Sequence, residues 1–393
     1  MIYPRKLGLS LSKEVHSKEI IVVTGMRRTG KTTLMRQIFD DISSENKVFL
    51  DLENPLNQKI FEELNYDNIL ANLKTFHIDP NKKAYLFLDE IQLFPQATKA
   101  IKYLYDHYDL KFFLTGSSSF YLKNLFPESL SGRKIVFELF PLDFEEFLTF
   151  QGKNKTFELN FDQKAKNKNK IIFERYKKCF EEYMRFGGFP GIVLESDFSR
   201  KRTLLEDIFT SYFEQDVRAL ADFKSLSKIR DLILLLSKRV GSKIEISKIS
   251  SELGISRDTV YSYLSFLEKT YFLFFIRPLS RSVDREVSGT KKVYFCDSGL
   301  LYWLGNTDDG SLFENSVFHN LHMRGTLNYY ERRHGREIDF ILDKQIGFEV
   351  KRHGQENDIK QLTKIGKEIG LEQMYLVTQE FFDHPAAIPA TDL

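Results

Sequence analysis

The sequence predicts an α/β chain in four parts. These are a P-loop core over residues 1–150, a helical stretch with a Lys/Asn-rich insertion over 151–240, a winged helix-turn-helix over 241–298 and a small α/β domain over 299–393. Three observations carry the prediction. The apolar run "EIIVV" feeds straight into "TGMRRTGKTTLM", so that a strand, a glycine loop and a helix follow one another without a break. A second run, "KAYLFLDEIQ" (83–92), is apolar throughout and ends on two carboxylates, as a strand buried on both faces of a parallel sheet does. Near the far end, two segments of alternating character flank the short turn "DKQ".

Composition bounds the reading. Apolar residues at 42% and charged residues at 28% suit ordinary globular domains. A net charge of +2 gives no global argument for nucleic acid, so such a case must rest on local patches. Cys179 and Cys296 lie far apart with no CxxC spacing, which argues against a disulfide framework or a zinc site and fits a reducing cytoplasm. No apolar run reaches the ~20 residues of a membrane span, and the first residues lack the regions of a signal peptide. The expectation is a cytoplasmic protein with no membrane partner.

The first element is the phosphate loop. Gly25, Gly30, Lys31 and Thr32 fit G-x-x-x-x-G-K-[ST], and Leu34, Met35 and Ile38 follow at helical spacing. Glycine lets successive backbone N–H groups face phosphates, and the helix N-terminus adds partial positive charge. Lys31 is expected to reach the β- and γ-phosphates of ATP, and the Thr32 hydroxyl to hold Mg2+. Arg28, Thr29 and Thr33 complete the expected cradle, with Arg27 and Arg28 placed to meet either phosphate or solvent.

Asp89 and Glu90 close the second strand, where open α/β sheets place their ligands. Asp89 is expected to orient the Mg2+ shell, and Glu90 to act as general base on the attacking water. A third apolar strand, in "LKFFLTGSSSFYL" (110–122), ends on small hydroxyl residues. Ser117 is the first choice for a group sensing the γ-phosphate or the water, with Thr115 second; helix or turn capping is the alternative.

"GMRRTGKTT", "LFLDEIQ", "LTGSSS", "LSGRKIVFELFPLDFEEF" and "GGFPGI" together resemble a prokaryotic branch of the AAA+ ATPase superfamily whose loop reads GxRRxGKT. The resemblance implies that the "FFLTG" strand lies between the loop strand and the "LFLDE" strand. Arg28 stands where the usual loop carries a glycine. Arg133 of "SGRK" is similar to the arginine that a neighbouring subunit supplies to the transferring phosphoryl group, which would imply a ring or dimer.

The Lys/Asn-rich segment 151–170 reads as a solvated insertion. Helical spacing of Phe173, Tyr176, Phe180, Tyr183 and Met184 then opens a run of helices to about residue 240, fitting a helical lid. The turn "GGFPG" interrupts it, either approaching nucleotide or simply joining helices.

In "KIEISKISSELGISRDTVYSYLSFLEKTYFLFFIRP" (243–278), Gly254 is a left-handed C′ cap and Ser256 an N-cap. Val260, Tyr263, Leu264 and Leu267 should face the core. The strands "YFLFFIRP" and "KKVYFCD" would form a wing, joined through Arg281 and Arg285. This is a DNA-reading shape, although Arg257, Asp258, Tyr261 and Ser262 are modest readers and an acid faces phosphate badly.

Finally, Glu314 falls in the first turn of a helix over 311–325, and the strands 337–342 and 346–351 form a hairpin. Alternation places Asp339 opposite Ile338, Phe340 and Leu342, and puts Glu349 and Lys351 on one face. Paired carboxylates suit a hard divalent ion, with the lysine orienting a nucleophile. Glu314, Asp339, Glu349 and Lys351 resemble the PD-(D/E)xK nuclease-like domain that follows the ATPase in the same branch, a domain of unknown function. His319, His322 and His334 lack metal-ligand spacing. The expected function is a Mg2+-dependent ATP hydrolase acting on DNA, with turnover coupled to the C-terminal domain. Its rivals are a nucleotide-gated switch toward a protein partner and a catalytically idle DNA scaffold.

Overall fold

Continuous apolar strands need cover on both faces, and the first sheet provides it. In a computed structural model, β1 (Ile20–Thr24), β2 (Lys47–Asp51), β3 (Ala84–Asp89), β4 (Leu110–Gly116) and β5 (Lys134–Glu138) form a parallel sheet in the order β2-β3-β4-β1-β5. The "FFLTG" strand β4 thus lies between β1 and β3, as the resemblance implied. The structure describes residues 3–117, 132–158, 160–217, 226–280, 282–305, 307–332 and 337–393, with backbone only at 283, 285 and 287. Arg281, Arg285 and His334 therefore fall outside the described side chains.

Alternate residues of β1 serve opposite layers. Ile20 and Val22 pack with Leu86, Leu88, Phe112, Leu114 and the helices Asp67–Lys74 and Ala97–His107. Ile21 and Val23 pack with Phe87, Phe113 and the helix Lys31–Asp41 through Leu34, Met35 and Ile38. Phe87 and Phe113 stack with centroids 4.4 Å apart. Both faces are dry, which is why these strands show no polar alternation.

The chain divides into two units. One comprises Met1–Phe140 with Lys269–Tyr271, the other Pro141–Glu268 with Phe272–Leu393. In the second, the helix Lys170–Phe186 is capped by the Asn169 side chain, which accepts from the N–H groups of Ile171 and Ile172, and it buries the predicted apolar stripe. The "GGFPG" turn is shaped by packing within this unit. Gly188 N–H donates to Asp297 Oδ2 at 2.7 Å, and a Cβ on Gly188 would stand 2.1 Å from Leu142 O. Burial pushes the Asp297 carboxyl up to about 6.

Segment 151–170 departs from the solvated loop expected of it. The helix Phe161–Lys166 lays Phe161 against Phe348, with centroids 4.8 Å apart. Lys164, only 2% exposed, donates to the carbonyls of Asp392 (2.6 Å) and Leu393 (3.2 Å), while Lys155 pairs with the Asp392 carboxylate. Lysines that composition assigns to water are here the docking groups of the segment.

Two helices, Ile246–Leu253 and Arg257–Lys269, follow one another there, with Gly254 left-handed (φ 63°) and the Thr259 N–H donating to Ser256 Oγ. The strands β6 (Leu273–Pro278) and β7 (Lys292–Phe295) pair antiparallel. They do not stand alone. The other edge of β6 joins β8 (Leu327–Glu331), β9 (Glu337–Leu342), β10 (Ile346–Lys351), β11 (Gln373–Thr378) and β12 (Ala387–Pro389) in one seven-stranded sheet, ordered β12-β11-β10-β9-β8-β6-β7. An open β6 edge would expose unpaired N–H and C=O groups, and β8 covers it at Arg277 and Pro278. No helix among the described residues is long and apolar enough to cross a membrane.

Candidate functional site

The phosphate loop leaves β1 at its C-terminal end. Gly25 (φ 150°) is obligatory, because a Cβ there would lie 2.1 Å from Leu139 O. Arg28 sits exposed at φ 64°, the left-handed conformation that accounts for a glycine at this place in the usual loop. Gly30 (φ 95°) caps the helix that begins at Lys31. Lys31 is buried and its Nζ donates to Gly25 O (2.9 Å) and Met26 O (3.0 Å), spanning the loop. Buried Thr29 ties back to Met26 O at 2.9 Å, whereas Thr33 is exposed.

Arg5 was not foreseen. Its guanidinium, 6% exposed, donates to Thr29 O and Phe140 O at 2.8 Å each and so braces the loop from behind. A lone arginine near the start of a chain carries no motif by which it could be found.

The carboxylates of β3 meet the loop through hydroxyls. Asp89 accepts hydrogen bonds from the side chains of Thr115 and Thr32. Burial raises its carboxyl above the usual range, opposed by those two hydrogen bonds and reinforced by Glu90 and Asp51. The Thr115 hydroxyl also accepts the Glu90 N–H at 3.0 Å. Glu90 takes φ 54°, an unfavourable backbone for a residue with a Cβ and of a kind that clusters at working sites. Thr115, the second choice from the sequence, is therefore the group that joins both carboxylate residues.

Ser117 is buried and connects differently. Gln92 Nε2 donates to Ser117 Oγ at 3.1 Å and also to the Glu90 carboxylate. Gln92 is a second unforeseen member; its signal was a polar residue inside the otherwise apolar "IQLF". Thr32, Asp89, Thr115, Glu90, Gln92 and Ser117 thus form one connected set. An all-oxygen donor pair, Thr32 and Asp89, amid surplus carboxylate charge fits Mg2+.

Arg133 is not brought to this set. It precedes Lys134, which pairs with Ile20 at the opposite end of β1, roughly 15 Å from the loop at ~3.3 Å per residue. Its guanidinium is engaged by Asp106, with Nε 2.9 Å and Nη2 3.3 Å from the carboxylate oxygens. The finger role expected of it is toward a neighbouring subunit's site, not the chain's own.

In the second unit, Glu314 belongs to the helix Asp309–His322. That helix starts earlier than expected because Asp308 caps it, so Glu314 falls in its second turn. Tyr294 donates to Glu314 Oε1 at 2.8 Å and stacks on Phe318 at 4.4 Å. The β9–β10 hairpin has the predicted bounds, and Asp339 Oδ2 accepts the Val350 N–H at 2.7 Å. Lys351 Nζ lies 2.7 Å from Glu349 Oε1, while Glu349 Oε2 is buried without a hydrogen-bond partner. Burial, then the charge of Asp339, pushes both Glu314 and Glu349 up to about 8.

Lys292 of β7 was missed. It is 3% exposed, with its Nζ 3.0 Å from Glu337 Oε2 and 4.0 Å from Asp339 Oδ1. Alternation turns Lys292 and Tyr294 to the same side of β7. Reading that strand only as a wing hid both. The expected metal shell fares poorly: among the described residues no three His, Cys, Asp or Glu side chains are placed to hold a metal ion. The Glu349 oxygen would welcome a cation, but its partner carboxylates are already bonded to Tyr294, Val350 and lysine. His319 meets Pro141 O at 3.1 Å, and His322, pushed down to about 4 by burial, stacks on Phe318.

Residues 17–148 match the family described as an AAA domain; residues 177–311 and 309–391 match two domains of unknown function, DUF8612 and DUF4143. The chain is similar to the uncharacterized protein MJ1544 of Methanocaldococcus jannaschii, 29% identical over 375 residues that cover 91% of this chain and 81% of the relative. An uncharacterized protein of Haemophilus influenzae is 27% identical over 359 residues, covering 86% and 85% respectively. Among solved structures, the Walker-type ATPase PABY2304 of Pyrococcus abyssi is 16% identical, with a TM-score of 0.48, over 77% of this chain and 96% of that one. The family match, the parallel sheet and the phosphate loop agree with one another.

Proposed function

We propose that the AAA-type P-loop ATPase domain in the first third of this chain hydrolyses MgATP, and that the remainder couples the turnover to DNA. The observation that carries the ATPase reading is the hydrogen-bonded set Thr32–Asp89–Thr115–Glu90 at the lip of the loop. Lys31 meets the β- and γ-phosphates; Thr32 and Asp89 hold Mg2+. The ion, when bound, neutralises developing phosphate charge. Glu90 takes the proton of the attacking water, its backbone fixed by Thr115 and its carboxylate steered by Gln92. Ser117, joined to Gln92, relays the presence of the γ-phosphate to that carboxylate.

The DNA part of the reading is supported by the helix pair Ile246–Leu253 and Arg257–Lys269 around left-handed Gly254. A rival reading, a nucleotide-gated switch toward a protein, draws on a groove of about 710 Å3 beside that pair. Glu245, Tyr261, Glu268, Phe275 and Lys291 line it, a mixed surface ill suited to a phosphate backbone.

The test is the ATP hydrolysis rate with and without duplex, branched and single-stranded DNA, using Lys31→Ala as the blank. Stimulation by one form, absent from the blank, is expected. A rate indifferent to every form would move the reading to the protein-directed switch. Turnover equal to the blank would remove the ATPase itself.

A further inference from the structure

The second unit gathers buried Asp339 and Glu349 and half-buried Glu314, with exposed Glu337 at their edge, within reach of two lysines. A cluster of this kind is normally balanced by a bound cation or by a protein cation, since unpaired buried charge is costly. Lys351 is committed to Glu349. Lys292 comes from β7, far from the hairpin in sequence, and faces three of the acids at once: it donates to Glu337, approaches Asp339, and lies in the field of Glu314. Its stem is buried beside Tyr329, whose ring centroid is 5.2 Å from Nζ, so the ammonium cannot swing to water without leaving its packing.

Two of the acids also accept from protein donors, while Glu349 Oε2 keeps no hydrogen-bond partner. Tyr294 satisfies Glu314, and the Val350 N–H satisfies Asp339. Each donor comes from the protein, and no three of the acids are set as a shell for an ion among the described residues. The donor set resembles that of a nuclease-like centre, but a lysine from β7 stands among its acids.

We propose that Lys292 is the resident cation of this cluster and occupies the place a divalent ion would otherwise take, so that the native C-terminal site does not load metal. The inference rests on the cluster alone and is independent of the DNA reading. A lysine fixed in this way also binds the β6–β7 pair to the hairpin sheet, which ties the helix-turn-helix segment to the C-terminal strands by charge as well as by β6–β8 pairing.

The test counts Mn2+ bound to the full chain without nucleotide, by the loss of the free-ion electron paramagnetic resonance signal. The wild-type chain should show no Mn2+ site that Asp339→Asn removes. Lys292→Gln should gain about one Mn2+ per chain, lost again in the Lys292→Gln/Asp339→Asn double variant, while Lys292→Arg should gain none. A wild-type Mn2+ site abolished by Asp339→Asn would overturn the proposal, as would a folded Lys292→Gln that gains no ion. Should Lys292→Gln fail to fold, the wild-type and Asp339→Asn pair decides the question unaided.

Discussion

Thr115→Val replaces the hydroxyl that joins Asp89 and Glu90 with a methyl group of the same shape. Two hydrogen bonds are lost: one charge-assisted, to the Asp89 carboxylate, and one from the Glu90 N–H. A hydrogen bond to a charged group contributes about 1.5–3 kcal/mol, which corresponds to roughly a 10- to 150-fold change in a rate or equilibrium constant. The Glu90 backbone, held at φ 54°, loses its anchor at the same time. We expect kcat to fall by about 10- to 100-fold, with nucleotide affinity changed far less because Lys31 and the loop are untouched. The pH profile supplies a second readout. Burial already raises Asp89 and Thr115 opposes that rise; without the hydroxyl the carboxyl goes higher still. Asp89 acts ionised, so the acid limb of kcat/KM should move to higher pH. Thr115→Ser should restore both. Steady-state hydrolysis from pH 5.5 to 8.5, with circular dichroism to confirm folding, decides it. A folded Thr115→Val with wild-type kcat and an unmoved acid limb would refute the reasoning.

Gln92→Ala, which frees Glu90 and Ser117 from one another, should lower kcat about tenfold while leaving ATP affinity within about twofold; an equal loss in affinity would mean that Gln92 only supports the fold. Arg133→Ala should keep near-wild-type turnover, because Arg133 pairs with Asp106 at the far end of β1. Loss of hydrolysis with retained ATP binding would instead reveal a finger acting in a neighbouring subunit. Burial lowers Lys164 to about 7 from the 10.5 usual for a lysine. Between those values the unfolded chain binds more protons than the folded one, so this residue makes stability rise with pH, by on the order of 1 kcal/mol per pH unit. Urea unfolding at pH 7.5 and 9 should show that rise in the wild type and a smaller one in Lys164→Met; identical slopes would mean that Lys164 is solvated.

The chain's local rules reach a long way. The strand bounds 337–342 and 346–351, the caps at Ser256 and Gly254, and the order of the first sheet's inner strands follow from alternation, capping chemistry and the resemblance. The phosphate loop is legible for the same reason: its glycines, Lys31 and Thr32 act through backbone geometry only a few residues long. Thr32 and Asp89 could be paired in advance because a motif fixes each against the sheet edge.

What the sequence by itself determined is therefore the parts whose physics is local: apolar period, turn residues and a phosphate-binding loop. The tertiary structure decided the charges. Lys164 and Lys155 look solvated in their own segment and are buried by contacts more than two hundred residues away. Lys292 looks like one cation of a wing, yet it meets two acids of one later strand, β9, and one of a helix. Arg5 reaches the phosphate loop, and Arg133 is turned from it. A long charged side chain costs little to place in water and much to bury unpaired, so its partner selects its position. That partner is known only once distant segments are in place.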